Sequence, residues 1–221
     1  MRERRMRLTR DLPIARPAGP PVYPKASPHF VLRISDCGNK LARMTPGESS
    51  RLESLDAVLR STNVRERIRP IVERVRAELS RKKGALMTWE PISLTVFGRP
   101  LSPEIRSAWV FVLRAGADTG AERHPNSHQR MMSYEGTGDM QTGEPERWQS
   151  NVLVSNPEAP LERRWISIPP NDWHRPVVGK DEDWAVVSFH TIVADEVIEE
   201  KPDSGSKDGT KQMKYLARKG K

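Results

Sequence analysis

Two kinds of hydrophobic pattern divide the chain. Residues 45–82 place apolar side chains every three or four positions, which is the spacing of one helix face. From Thr88 onward, short apolar or alternating runs are separated by Gly, Pro, Asn and Asp, which is typical of strands joined by turns. The pattern therefore predicts a helical segment followed by a β domain.

Two helices are predicted in the first region. Residues 45–48 (Thr-Pro-Gly-Glu) supply a capping hydroxyl, a proline at the first helical position and the acidic partner of a capping box. A second helix is expected to begin at Asn63, and Pro70 should kink or divide it. The apolar positions are Leu52, Leu55, Val58 and Leu59 in the first helix, and Val64, Ile68, Ile71, Val72, Val75 and Leu79 in the second.

The remainder of the chain predicts many short strands. Because no helical pattern intervenes, they favour an antiparallel sandwich or barrel. Residues 136–138 and 169–172 are interpreted as turns. The predicted strands cover 89–97, 108–113, 130–134, 152–154, 165–168, 176–178 and 184–193.

The charge of the chain is concentrated at its ends. The 221 residues carry a net charge of +8, but residues 1–30 and 204–221 contribute +5 each, so 31–203 amount to −2. No recognised nucleic-acid motif accompanies the basic ends, so we interpret them as disordered tails and do not expect a nucleic-acid partner. The predicted regions are a basic, Pro-rich tail and linker at 1–44, a helical segment at 45–83, the β domain at 86–200 and a disordered basic tail at 201–221.

Several classes of protein are excluded or disfavoured. The single cysteine, Cys37, cannot form an intramolecular disulfide or a metal site made only of cysteines. No run approaches the roughly 20 apolar residues of a membrane span. Residues 1–11 are charged and lack the apolar stretch of a secretory signal. We expect a soluble, cytoplasmic protein with no membrane partner.

The candidate chemistry lies in the β domain. Glu122 and His124 are two residues apart, so on a strand they point to the same face. A turn at 125–127 can return the chain so that Gln129 faces the same cavity, and His174 follows a Pro-Pro-Asn turn. Two imidazoles, a carboxylate and an amide oxygen form a mixed site for a divalent ion such as Fe, Mn, Ni or Zn.

These residues resemble the two sequence motifs of the cupin superfamily. Asn171 occupies a glycine position of the second motif, which asparagine tolerates when φ is positive. The resemblance covers about residues 86–195 and implies an antiparallel jelly-roll barrel with metal and ligand inside. The first motif matches Gly116, Glu122-x-His124, Gln129 and Gly136, and the second matches Pro169-x-Asn171-x-x-His174.

The chain departs from the family pattern at two ligand positions. Glu122 stands where the family has its first His, and Gln129 stands where the family has Glu. The exchange still leaves two imidazoles, one anionic oxygen and one neutral oxygen, so a metal site remains expected. It argues against the non-haem iron dioxygenase type with three His ligands.

Other residues have alternative interpretations. His128 could replace Gln129 as a ligand, although a surface or hairpin position is favoured. His190 is interpreted as a hydrogen-bonded core residue. Arg114, Met131 and Trp173 are candidates for a substrate pocket.

The resemblance leaves the function open between classes. The first hypothesis is a metal-dependent enzyme of dioxygenase, isomerase or lyase type acting on a small organic molecule, with Glu122 as ligand or general base. The alternative is a non-catalytic small-ligand or sensor barrel without metal. An interaction protein using its basic tails is a third reading. We also expect a homodimer.

Overall fold

The computed structural model describes residues 45–144, 147–203, 210–214 and 216. Helices α1 (Pro46–Arg60) and α2 (Thr62–Arg81) come first, and a short α3 (Leu161–Arg164) lies between later strands. None of the helices in these residues has both the length and the apolar character of a membrane span. The predicted tail and linker at 1–44 lies outside the described residues.

The helix boundaries follow local sequence signals with two differences. The Thr45 hydroxyl accepts a hydrogen bond from the Glu48 amide at 3.3 Å, as predicted. The Glu48 carboxylate does not close a capping box, because it binds Arg130. Helix α2 begins at Thr62 rather than Asn63 and continues through Pro70 undivided. Pro70 is on the exposed side of the helix, where water can hydrate the carbonyl that its ring leaves unpaired.

The strands form two main antiparallel groups. A five-stranded sheet has the order β1-β2-β9-β3-β7, and β4 pairs with β5, β6 and β8 in a second sheet. Strands β10 and β11 form a separate pair. The strands are β1 (Met87–Ile92), β2 (Ser107–Leu113), β3 (Gln129–Glu135), β4 (Thr137–Glu144), β5 (Arg147–Gln149), β6 (Val152–Val154), β7 (Trp165–Ile168), β8 (His174–Val178), β9 (Trp184–His190), β10 (Ile198–Pro202) and β11 (Thr210–Lys214).

The five-stranded sheet is covered on both faces. One face packs on α1 and α2 through residues such as Val110 and Phe189. The other packs on the second sheet, where Trp109 and Trp184 meet Met140. Every residue of β2 and β9 is therefore buried, which explains their nearly continuous apolar sequences. The prediction of a mainly antiparallel jelly-roll fold with an N-terminal helical appendage is confirmed.

Several strand predictions need correction. The strand predicted over 89–97 ends at Ile92, because the Ser93 side chain caps a 3-10 turn at Leu94–Phe97. Residues 137–138 begin β4 instead of belonging to a turn. Residues 210–214, assigned to a disordered tail, pair as β11 with β10. Residues 204–209, 215 and 217–221 of that tail lie outside the described residues.

Candidate metal centre

Three predicted ligands converge between the sheets. Glu122 and His124 lie in the segment between β2 and β3, and the backbones of Glu122 and His174 exchange two hydrogen bonds of 2.8 Å. One ligand atom from each of Glu122, His124 and His174 lies within 4.8 Å of the others, so the three form one cluster.

A strained turn delivers His174 to this cluster. Asn171 has a φ of 69°, in the left-handed region where asparagine is the best substitute for glycine. Its amide donates to the His124 carbonyl at 3.2 Å, which ties the turn to the strand segment that carries the other imidazole. The expectation that Asn171 fills a glycine position is confirmed.

Backbone carbonyls fix the tautomers of both imidazoles. His124 Nδ1 lies 2.9 Å from the Ile198 carbonyl oxygen, and His174 Nδ1 lies 3.1 Å from that of Asp172. Because a carbonyl can only accept, each Nδ1 must carry the proton, and each Nε2 presents a lone pair. This second hydrogen bond is the arrangement that orients histidine ligands in metal sites.

Burial keeps both rings neutral. Burial and the nearby His124 lower the pKa of His174 to about 4, although Glu122 opposes the shift. Burial likewise lowers the pKa of His124. Protons therefore do not compete for the two Nε2 atoms at neutral pH.

The cluster fits a divalent ion. His174 Nε2 is buried without a hydrogen-bond partner and lies 3.7 Å from Glu122 Oε1. Two ligands held about 2.1 Å from a tetrahedral ion are about 3.4 Å apart, so this pair needs little movement to share one. Two imidazole nitrogens and a carboxylate oxygen suit Fe, Mn, Ni or Zn.

Gln129, the predicted fourth ligand, begins β3 on the face that looks toward the second sheet. Its Nε2 donates to the Ser188 hydroxyl at 3.1 Å, whereas its Oε1 is buried without a hydrogen-bond partner. An unpaired buried oxygen is the feature that a metal or ligand contact would satisfy. Its role as a ligand stays a prediction.

His190 is beside the cluster and is already hydrogen-bonded. Its Nδ1 lies 3.0 Å from the Ser127 hydroxyl and its Nε2 lies 3.2 Å from the Ser188 hydroxyl. Its ring centroid is 5.2 Å from that of His124. Burial lowers its pKa well below the ordinary value. This agrees with its interpretation as a hydrogen-bonded core residue.

Two candidate side chains are directed elsewhere. His128 Nε2 lies 2.7 Å from the Ser167 hydroxyl, on the side of the sheet that faces α1, because neighbouring residues of a strand alternate between faces. Arg114 does not line the site, since its guanidinium donates to the carbonyls of Leu79, Lys82 and Ala85 at the end of α2. The partial negative charge at a helix C-terminus attracts a cation there.

The two remaining pocket candidates lie in different environments. Met131 is buried in the core between the sheets. Trp173 adjoins His174 and stacks against the Arg123 guanidinium, which lies 4.6 Å from the ring centroid.

Strand β10 adds groups that the sequence patterns did not indicate. Its Ile198 carbonyl orients His124, and the Lys201 ammonium lies 3.7 Å from Glu122 Oε2 and 3.4 Å from Glu199 Oε1. The stretch 199–201 is Glu-Glu-Lys, which has no apolar alternation and therefore carries no strand signal. Pairing with a distant segment, through the antiparallel bridge between Arg123 and Glu200, brings it to the site.

A cleft of about 610 Å³ lies near the turn that carries His174. Asn171, Asp172 and Trp173 form part of its wall, but Glu122, His124 and His174 do not line it. Burial and the nearby Glu144 raise the pKa of Asp172. The turn at residues 171–173 thus borders both the cleft and the cluster of Glu122, His124 and His174, but the cluster does not open into the cleft.

Comparisons with known proteins found matches to this chain only among solved structures. No family model and no curated protein matches it. CapF from Staphylococcus aureus, a capsular polysaccharide assembling protein, is 11% identical with a TM-score of 0.41, over 52% of this chain and 31% of that one. KdgF from Halomonas sp. is 11% identical with a TM-score of 0.37, over 51% and 86%. A sugar phosphate isomerase from a cupin superfamily, from Silicibacter pomeroyi, is 14% identical with a TM-score of 0.36, over 58% and 77%.

Cupin-superfamily proteins are thus among the structures that this chain resembles, as its sequence motifs predicted. At these identities and TM-scores the likeness describes the fold and says nothing of the reaction. The matched part spans less than a third of the CapF chains. The candidate metal site of this chain is defined by the positions of its own Glu122, His124 and His174.

Proposed function

We propose that this cupin-fold protein binds one divalent transition metal through Glu122, His124 and His174 and uses it to act on a small organic molecule. The observation that carries the proposal is the convergence of three buried ligand atoms within 4.8 Å. It is supported by the two Nδ1 hydrogen bonds, which place the proton of each ring on Nδ1 and the lone pair on Nε2.

The chain's residues supply the ligand field and the enclosure. The two neutral imidazoles would fix the position of the ion, Glu122 would provide an anionic oxygen, and Gln129 would add a neutral one. A bound ion would act as a Lewis acid and an anchor for substrate oxygens. We propose a metal-dependent enzyme on this basis, with the reaction open among the dioxygenase, isomerase and lyase types.

Metal stoichiometry tests the proposal. Purified protein is loaded separately with Mn²⁺, Ni²⁺ and Zn²⁺, desalted and measured by elemental analysis. We expect close to one ion per chain for at least one metal, and loss of that ion in His124→Ala and His174→Ala. His128→Ala is the matched control, because it removes an imidazole on the other side of the sheet and should keep the ion. Retention of metal by both site variants would overturn the proposal.

Gln129→Glu tests the fourth position. The change restores the acidic residue of the family pattern and adds an anionic oxygen, so affinity for a hard divalent ion should rise or hold. Competition with a chelator of known affinity measures the difference. A loss of affinity in a folded variant would remove position 129 from the ligand set.

A metal-independent ligand-binding or sensor protein is the second candidate. The observation that favours it is the 610 Å³ cleft, which none of the three clustered ligands lines. If a small molecule binds with equal affinity before and after treatment with EDTA, and binding is lost on substitution of Trp173 in the cleft wall, this second function is supported.

A further inference from the structure

A chain of four hydrogen-bonded side chains begins at Gln129. Gln129 Nε2 donates to the Ser188 hydroxyl at 3.1 Å, and Ser188 Oγ lies 3.2 Å from His190 Nε2. His190 Nδ1 lies in turn 3.0 Å from the Ser127 hydroxyl. All four side chains are buried, so their donors and acceptors have to be matched within the protein.

The far end of the chain fixes the direction of its hydrogen bonds. The Ser127 hydroxyl donates to the His128 carbonyl at 3.4 Å. Because a hydroxyl has one proton, Ser127 can only accept from His190 Nδ1, and His190 Nε2 is then an acceptor for the Ser188 hydroxyl. Ser188 has thereby used its own proton and accepts from Gln129, which an amide nitrogen can satisfy and an amide oxygen cannot.

This direction decides which end of the Gln129 amide stays free. With Nε2 bound to Ser188, the remaining atom is Oε1, which is buried without a hydrogen-bond partner. A half-turn of the amide would leave a buried NH₂ group in its place. An amide NH₂ group only donates, whereas an amide oxygen has lone pairs that a divalent ion can accept.

We propose that Ser188 and His190 are positioning residues of the metal centre, which hold the Gln129 amide with its oxygen towards the ion. The inference rests on the proposed metal function, with Gln129 as the fourth ligand. The His190 ring borders the ligand cluster, since its centroid is 5.2 Å from that of His124. A glutamate at position 129 would carry an oxygen at each end and would need no such orientation, whereas a glutamine does.

The tautomer of His190 is the first test, because it does not depend on any metal. Nitrogen-15 correlation spectra of the metal-free protein show which ring nitrogen carries the proton, and comparison with His190→Asn identifies the signals of His190. We expect the proton on Nδ1. A proton on Nε2 would mean that the chain runs in the opposite direction and that Gln129 presents its nitrogen. That result overturns the inference and leaves a metal site of three ligands untouched.

Metal affinity is the second test. The ion is whichever of Mn²⁺, Ni²⁺ and Zn²⁺ the wild-type protein retains, and competition with a chelator measures its affinity. Ser188→Ala leaves the amide free to turn, so we expect roughly tenfold weaker binding. In the Gln129→Glu background the same substitution should change the affinity by less than about twofold, because a carboxylate offers an oxygen in either orientation.

Ser133→Ala is the matched control. It removes another buried serine hydroxyl, which accepts from Trp184 Nε1 at 2.9 Å and donates to the Gly136 carbonyl at 3.1 Å. Ser133 is not a member of the chain, so this variant should lose stability and keep the metal affinity of wild type. If Ser188→Ala folds poorly, the tautomer measured in wild-type protein still decides the question.

The outcomes separate the inference from the function on which it rests. If wild-type protein retains none of the three ions, both are overturned. If it retains an ion and Ser188→Ala binds that ion within about twofold of wild type, the metal function stands and the inference is overturned. A loss of equal size in the wild-type and Gln129→Glu backgrounds would indicate a general effect on the fold and would also overturn the inference.

Discussion

A buried ion pair connects α1 to the five-stranded sheet. Glu48 accepts hydrogen bonds from Arg130 Nε at 2.6 Å and from its terminal nitrogen at 2.8 Å, and a third from the Ser167 hydroxyl at 2.6 Å. Only 2% of the Arg130 side chain is exposed. Glu48→Gln keeps the shape of the side chain but removes its charge, which leaves the guanidinium buried without its main partner.

The expected cost follows from this geometry. Removing one partner of a buried ion pair costs about 3–5 kcal/mol, because the remaining charge is uncompensated. Glu104 lies 3.6 Å from Arg130 and can compensate part of the charge, so we expect about 3 kcal/mol. That is a large share of the roughly 5–15 kcal/mol that stabilises an ordinary domain.

The same pair predicts a dependence on pH. Burial raises the pKa of Glu48, but the hydrogen bonds from Arg130 and Ser167 outweigh it and hold the pKa below the ordinary value of 4.5. A carboxyl with a lowered folded pKa stabilises the protein above the unfolded value, and this contribution is lost as the pH falls through the folded value. The penalty of Glu48→Gln should therefore be full at pH 7 and shrink below about pH 4.5.

Urea denaturation at pH 7 and at several acidic pH values measures both effects. The double variant Glu48→Gln/Arg130→Met also removes the uncompensated charge of the Arg130 guanidinium and should recover part of the lost stability. The argument is refuted if Glu48→Gln costs less than about 1 kcal/mol at pH 7, which is typical of an exposed pair, or if its cost does not change on acidification.

Three further predictions concern the packing around the site and at the end of α2, and urea denaturation measures each of them. Gly138→Ala should cost about 1–3 kcal/mol or more because its new Cβ would overlap the Trp184 ring, whereas Gly179→Ala meets open space and should be nearly neutral. Arg114→Met should cost about 1–2 kcal/mol, because the last carbonyls of α2 lose a charged donor. Asn171→Val should cost about 1–2 kcal/mol at its positive φ, while Asn171→Gly should be tolerated; equal stability of the two would contradict the turn assigned here.

Local signals in the sequence were enough for the helices and for most strands of the five-stranded sheet. Thr45 and Pro46 mark the start of α1 because a cap acts within one turn of the chain. Strand β4 was missed because its glycine suggests a turn, although Gly138 is needed to leave room for Trp184. That requirement comes from Trp184 on another strand, so the sequence around Gly138 does not reveal it.

The part of the candidate site that lies in two short sequence motifs was predictable. The two-residue spacing predicts that Glu122 and His124 share a face, and the turn before His174 marks the other half of the site. Lys201 was not predictable, since it arrives on a charged strand through pairing between residues distant in sequence. The direction of the Arg114 side chain was not predictable either, because it depends on the position of the C-terminal end of α2 in the folded protein. The homodimer and the cytoplasmic location stay predictions.

The two N-terminal helices change what counts as the smallest folding unit. In a shortened chain that begins at residue 86, five apolar side chains now covered by α1 and α2 would face water: Val110, Met132, Trp165, Val187 and Phe189. Burial of such side chains contributes about 1.5–3 kcal/mol each, so their exposure would remove an amount comparable to the whole stability of a domain. The boundary that composition draws at residue 86 is therefore not a boundary at which the protein can be divided, and residues 46–81 are as much a part of the fold as the strands that carry the ligands.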